Sequence, residues 1–202
     1  MAVIGELLFY SGFGRRPGLA DQLRATQDSG VRKAVDRMSE ANFSTSSDEE
    51  LIASVVEKCA VTALNLDLAK AKGVVTETSV QRQNLWGETG TIKGLKVTKV
   101  IPFEGEAALF ELQPSSSDLN PPRGIVRGQT LIVGMEVAES ETEAAVRYAD
   151  DTVASIQQYI GWQSEAIAQH NEILPSLVST LLAERRTRLS KASDLANRLG
   201  GG

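Results

Sequence analysis

Aromatic residues make up only 5% of this 202-residue chain, so any core must rest mainly on Leu, Val, Ile and Ala. Cysteine is rarer still. A single residue, Cys59, excludes an internal disulfide and fits a reducing compartment. Histidine is equally scarce, with His170 alone. One His and one Cys cannot assemble a zinc site of the usual nitrogen and sulfur kinds within one chain. Any Ser–His–Asp or Cys–His arrangement would have to use His170. Positive charge is also short: the net charge is −5 and the pI about 5.1. That argues against broad nucleic-acid binding, which needs a basic surface to displace counterions from phosphate. No glutamate is followed two residues later by lysine, so the Glu-x-Lys of metal-dependent nucleases is missing. Glu111, Asp118 and Glu136 lie near expected strand ends and are the only carboxylate candidates, and no catalytic role is assigned to them. No window approaches 18 uninterrupted apolar residues, and none is expected to cross a membrane. The opening Met-Ala-Val-Ile-Gly-Glu lacks the basic start and apolar stretch of a signal peptide. The cytoplasm is the expected location.

What is present is ordinary globular material: 42% hydrophobic and 23% charged residues, enough for one domain or two small ones. Leu7-Leu8-Phe9-Tyr10 favours a strand and breaks at the glycine-rich run from Ser11 to Gly18. Helical patches follow over Leu19–Ala25 and residues 31–41, then a linker over residues 44–47. Ser47 with Glu50 three residues on makes a capping box and starts a helix running to about Cys59, with Leu51, Ile52, Val55 and Val56 inward. Val61 to Leu66 alternates weakly, and Val74 to Val80 is rich in β-branched residues. Leu95 to Ile101 reads as a strand ended by Pro102. Glu104-Gly105 signals a turn, and Ala107 to Leu112 a second strand. Residues 113–128 read as a proline-containing surface loop. Residues 129–137 read as the firmest strand, with Leu131, Val133, Met135 and Val137 on one face. The short connections predict an antiparallel sheet.

From about Glu139 the pattern becomes helical. Val146, Val153, Ile160, Ile167, Leu174 and Leu181 fall at seven-residue steps. Ala149, Ile156, Gln163, His170, Leu177 and Glu184 hold the companion positions, and nine of these twelve are apolar. Acidic residues at the start and basic ones towards the end complement the helix dipole. Pro175 either bends one long helix or divides two. Gln163, His170 and Glu184 interrupt the stripe, as polar residues do where register or partner is specified.

Three further features bear on chemistry. Gly12, Gly14 and Gly18 fall one residue long of the dinucleotide fingerprint, with Arg15 and Arg16 beside them, yet no acidic residue closes a second strand about twenty residues on. A surface turn is the simpler reading, and nucleotide binding through Gly12 to Gly18 ranks last. The run from Gly87 to Gly94 lacks the Gly-Lys-Ser/Thr ending of a phosphate loop and reads as a turn. Arg185, Arg186, Arg188 and Lys191 form a basic run that either contacts nucleic acid or is a solvated face. Leu199-Gly200-Gly201-Gly202 reads as a helix stop running into a glycine tail.

Leu119-Asn120-Pro121-Pro122-Arg123-Gly124, Ile156-x-x-Tyr159-Ile160-x-Trp162, His170-Asn171-x-x-Leu174 and Glu184-Arg185-Arg186-x-Arg188-Leu189 occur in this order. Over roughly residues 95–199 this resembles the N-terminal accessory region of uncharacterised bacterial, often actinobacterial, proteins in which a restriction-endonuclease-like domain commonly follows. The resemblance implies an accessory or regulatory part of a multidomain, defence-type protein. It transfers no catalytic residue. Asn171, Arg185 and Arg186 match recurring helix positions of that group.

The resulting expectation is an α+β protein: a mixed domain over residues 1–138, a heptad-patterned helix or helix pair over 139–199, and a glycine tail over 200–202. The expected role is a non-enzymatic scaffold, sensor or oligomerisation module with no metal and no cofactor. It would bind a second copy or another protein through Ile160, Gln163, Ile167, His170, Leu174, Leu177 and Leu181. The alternative is an accessory domain contacting nucleic acid through Arg185, Arg186, Arg188 and Lys191.

Overall fold

The computed structural model describes residues 1–12, 17–83 and 86–200. The protein is α+β, and it forms two compact units, each drawn from two separate stretches of chain: Met1–Leu19 with Thr62–Ser164, and Ala20–Val61 with Glu165–Gly202. The split therefore does not fall at residue 138. We call the units the sheet unit and the helical unit.

In the sheet unit the strands are β1 (Ala2–Val3), β2 (Glu6–Leu7), β3 (Asn65–Leu66), β4 (Lys72–Gln83), β5 (Thr89–Glu104), β6 (Arg123–Arg127) and β7 (Thr130–Ala138). They form one sheet in the order β2-β6-β7-β5-β3; β1 also pairs with β7 and β4 with β5. Every pairing among the described residues is antiparallel, as the short connections require. The alternation in β7 buries Leu131, Val133, Met135 and Val137 as its period predicts. Val97, Met135, Val137 and Ala145 form one apolar cluster. Gly134 lets β7 lie close to β5, because a Cβ there would sit 2.1 Å from the Val97 carbonyl oxygen.

Several sequence expectations need correction here. Residues 107–111 form a 3-10 helix, not a strand. Leu109 and Phe110 are both buried, and consecutive strand residues cannot face one side. Gly105, with φ 98°, turns the chain before this helix. Pro102 does not end β5, which runs to Glu104. Its missing donor falls beyond the last β4 partner, at Val100, while its carbonyl still accepts from Asp67 N at 2.9 Å. The loop read over 113–128 contains β6, and Thr89 to Gly94 belong to β5 rather than to a turn.

The helical unit contains α1 (Leu19–Ala25, whose first residue belongs to the sheet unit), a π-helical turn over Thr26–Gly30, α2 (Val31–Asp36), α3 (Glu40–Thr45) and α4 (Asp48–Cys59). The patch over residues 31–41 is thus broken, and Ser44 and Thr45 close α3 rather than forming a linker. Ser47 caps α4 as its spacing predicts: its hydroxyl accepts from Glu50 N at 3.2 Å, and the Glu50 carboxylate accepts from Ser47 N at 3.0 Å.

The longest element is α5, Thr142–Gly200, which serves the sheet unit up to Ser164 and the helical unit from Glu165. The helix continues through Pro175, so two separate helices are not formed. The proline removes one ladder bond. Leu174 and Val178 on either side of it are fully buried and hold the helix in place. No described helix is long and apolar enough to cross a membrane.

Candidate functional site

The stripe on α5 finds apolar neighbours within the chain. In the helical unit Leu174, Val178, Leu181 and Leu182 pack with Val31, Val35, Phe43, Leu51, Val55 and Cys59, and Leu177 lies against the same cluster. Ile167 is buried, whereas Ile160, in the sheet unit, is half-buried. Val146, expected to open the stripe, is exposed.

The polar interruptions have specific partners. In the sheet unit the Gln163 amide nitrogen donates to the carbonyls of Leu109 (2.9 Å) and Leu112 (2.7 Å). It thereby satisfies acceptors of the 3-10 turn that a neighbouring strand would otherwise take. In the helical unit both His170 nitrogens are engaged: Nδ1 lies 2.9 Å from Gln27 Nε2, and Nε2 lies 3.0 Å from the Cys59 carbonyl. Since an amide nitrogen and a carbonyl must be a donor and an acceptor, the network assigns a neutral ring with its proton on Nε2. Asn171 grips the next residues, accepting from Val61 N at 3.0 Å and donating to Val61 O at 2.9 Å. Cys59 itself is buried, and burial pushes its thiol pKa up against the smaller opposing pull of Lys58. A protonated, buried thiol is a poor nucleophile.

The basic run is largely occupied as well. Arg185 donates to the Met38 carbonyl at 2.7 Å and reaches Asp36 at 3.5 Å. Arg186 donates to Asp48 at 2.6 Å and to the Phe43 carbonyl at 3.0 Å. Arg188 pairs with Asp36 at 2.7 Å. The Arg185 and Arg186 guanidinium carbons lie 5.6 and 5.3 Å from the Phe43 ring centre. Glu184 pairs with Arg32 at 3.0 Å. Lys191 is exposed and makes no ion pair among the described residues. Of the glycine-rich run, Phe13 to Arg16 lie outside the described residues.

The sheet unit also holds a cleft of about 870 Å³ that sequence reasoning missed. One wall is a face of α5 carrying Tyr148, Asp151, Thr152, Ser155 and Tyr159; the opposing lining comes from residues 9–11 and from Ser117 to Arg123, part of the Asn-Pro-Pro-Arg run. Tyr159 anchors the two together. Its hydroxyl accepts from Asp118 N at 2.9 Å and donates to Asp118 O at 3.3 Å. Burial pushes this phenol pKa up, with the Asp118 amide opposing. The Tyr159 ring stacks on Phe9 at 5.1 Å, and Phe9 meets Phe110 at 5.4 Å. Phe9 holds a left-handed backbone (φ 54°), uncommon for a residue with a side chain. Ser11 Oγ donates to Gln113 Oε1 at 2.5 Å, and Gln113 Nε2 to Ser117 Oγ at 2.9 Å. The available signal was Tyr148, Asp151, Thr152, Ser155 and Tyr159 at three- and four-residue spacing, a second face of the helix set aside in favour of the apolar one.

Among the described residues no group of three His, Cys, Asp or Glu side chains is placed to hold a metal ion. Comparison with protein-family models, with curated proteins and with solved structures finds no match for this chain.

Proposed function

We propose that the protein is a non-enzymatic scaffold module that self-associates through the C-terminal end of α5. The observation that carries this reading is the overhang of that helix. Every residue from 190 to 200 is exposed, including Leu195 (56%) and Leu199 (86%). This segment is about 16 Å long at 1.5 Å per residue. Ala192, Leu195, Ala196 and Leu199 fall at the i, i+3, i+4, i+7 spacing of a single apolar edge. A helical end without lateral packing is marginal in water, and pairing with a second copy would bury that edge. The expected surface thus moves from the segment between Ile160 and Leu181, whose side chains are largely used inside the chain, to the segment beyond it. A role as the accessory part of a larger bacterial defence-type protein in the cytoplasm fits this reading and rests on the sequence resemblance. Phosphate contact through Arg185, Arg186 and Arg188 has less support, because each is already paired with an aspartate.

Sedimentation equilibrium between roughly 5 and 200 μM, spanning the weak micromolar range, tests it. The expected result is a concentration-dependent dimer that Leu195→Glu with Leu199→Glu converts to monomer while the melting temperature of the rest is kept. A concentration-independent monomer overturns the proposal.

A further inference from the structure

The chain has three tyrosines, Tyr10, Tyr148 and Tyr159, and all three line the same cleft of the sheet unit. In a protein this poor in aromatics, that convergence needs a reason. Core packing accounts for Tyr159, which is fully buried, and for the part of Tyr148 that lies against the Val97, Met135, Val137 and Ala145 cluster; Tyr10 and Tyr148 are nevertheless half-exposed where they line the cleft. Among the described residues the charged groups of the lining are Asp118, Asp151 and Arg123. Two acids face one base, and both carboxylates are exposed and make no ion pair among the described residues. Arg123 is directed in part to the Gly5 carbonyl, 3.4 Å away. The volume, about 870 Å³, lies within the range of small-molecule sites.

Electron-rich ring faces beside uncompensated carboxylates select positive charge. A desolvated ammonium gains from the ring quadrupole and from the carboxylate together. An anion would meet repulsion from two carboxylates, and a neutral apolar ligand would leave them unused. From this convergence of tyrosines and aspartates we infer that the cleft between α5 and the Asn-Pro-Pro-Arg segment binds a small organic cation of the ammonium class. Asp151 supplies the counter-charge, Tyr148 a ring face, and the Tyr159–Asp118 bonds hold the opposing wall. This site is separate from the helix end proposed for self-association, and each fails or stands alone.

The experiment is calorimetric titration of the full chain with choline and, in parallel, with 3,3-dimethylbutan-1-ol, its uncharged isostere. Saturable choline binding is expected, about five-fold or more tighter than the alcohol, the ratio a modest cation–ring interaction provides. Tyr148→Phe keeps the ring and retains binding, whereas Tyr148→Leu and Asp151→Asn each weaken it about five-fold or more. Asp151 is on the surface, so Asp151→Asn tests the site even if the Tyr148 variants fold poorly. Equal binding of the two ligands, no saturable choline binding at tens of millimolar, or an Asp151→Asn variant that binds as well as the parent overturns the inference.

Discussion

The two units are stabilised by different chemistry. The sheet unit is bound by backbone ladders and an aromatic chain in which Phe103, Phe110, Phe9, Tyr159 and Trp162 succeed one another at centre distances between 4.9 and 5.4 Å. In the helical unit Phe43 is the single aromatic residue. There the packing is aliphatic, and polar side chains of α5 reach across to main-chain groups: His170 to Cys59, Asn171 to Val61, Arg185 to Met38, Arg186 to Phe43. The contrast teaches where function should be sought. Residue types that look chemical in the helical unit are committed to holding connecting segments in place. In the sheet unit the ladders do most of that work, Gln163 and Tyr159 tie down the segments outside the strands, and half-exposed aromatic and polar side chains line a cleft.

Separate reporters exist for the two units, because both tryptophans lie in the sheet unit and the only cysteine in the helical one. The largest effect is expected at Gly134. An added methyl would meet the Val97 carbonyl oxygen at 2.1 Å and Thr98 Cα at 2.8 Å, with φ at 155°. Backbone atoms on β5 cannot yield without parting the central strand pair. Gly134→Ala should cost about 3 kcal/mol or more. Urea unfolding followed by tryptophan fluorescence should show a clearly lower midpoint. An unchanged midpoint would mean that the β5–β7 ladder is not what limits this unit.

The second effect tests the helical unit. His170→Ala removes one buried and one partly buried hydrogen bond and leaves a cavity, for a loss of about 2–4 kcal/mol. Labelling of Cys59 reads it directly, since the native thiol is buried and protonated more firmly than a free one. If local opening limits labelling, the rate should rise about thirty-fold or more. The sign of the pH dependence follows from the raised thiol pKa. Its stabilising contribution is complete below the unfolded-state pKa and is lost as pH rises past it towards the folded-state value. Labelling that responds equally to Gly134→Ala and to His170→Ala would dissolve the contrast between the units.

Local signals were legible in the sequence where one short stretch decides the outcome. The Ser47–Glu50 capping box, the alternation in β7 and the helical periodicity of α5 are of that kind, whereas the sequence left open whether Pro175 bends that segment or divides it. Outcomes that depend on distant residues were not legible. Ala107 to Leu112 has the composition of a strand, yet the carbonyls of Leu109 and Leu112 accept from Gln163, more than fifty positions away. Heptad spacing shows that a helix has an apolar face but not what covers it. The residues that cover it, between Val31 and Cys59, carry no mark of that role. The cleft was hidden for the same reason: Tyr10, Asp118 and Tyr148 are brought together only by the fold.

The smallest effect bears on how the basic run should be read. Arg186 is linked to Asp48 and to the Phe43 carbonyl, and its guanidinium lies over the Phe43 ring. Its side chain is 40% exposed and that of Asp48 59%, so solvent screens most of the ion pair. The carbonyl bond and the ring contact account for most of what remains. Arg186→Ala should therefore lower stability by only about 1 kcal/mol, read as a modest shift of the thermal midpoint. If the arginines serve the fold, binding to a duplex oligonucleotide at low salt should be the same for parent and variant. A variant with an unchanged midpoint and a salt-dependent loss of oligonucleotide binding would instead make this run a phosphate-contacting surface, with its aspartate pairs giving way to phosphate on binding.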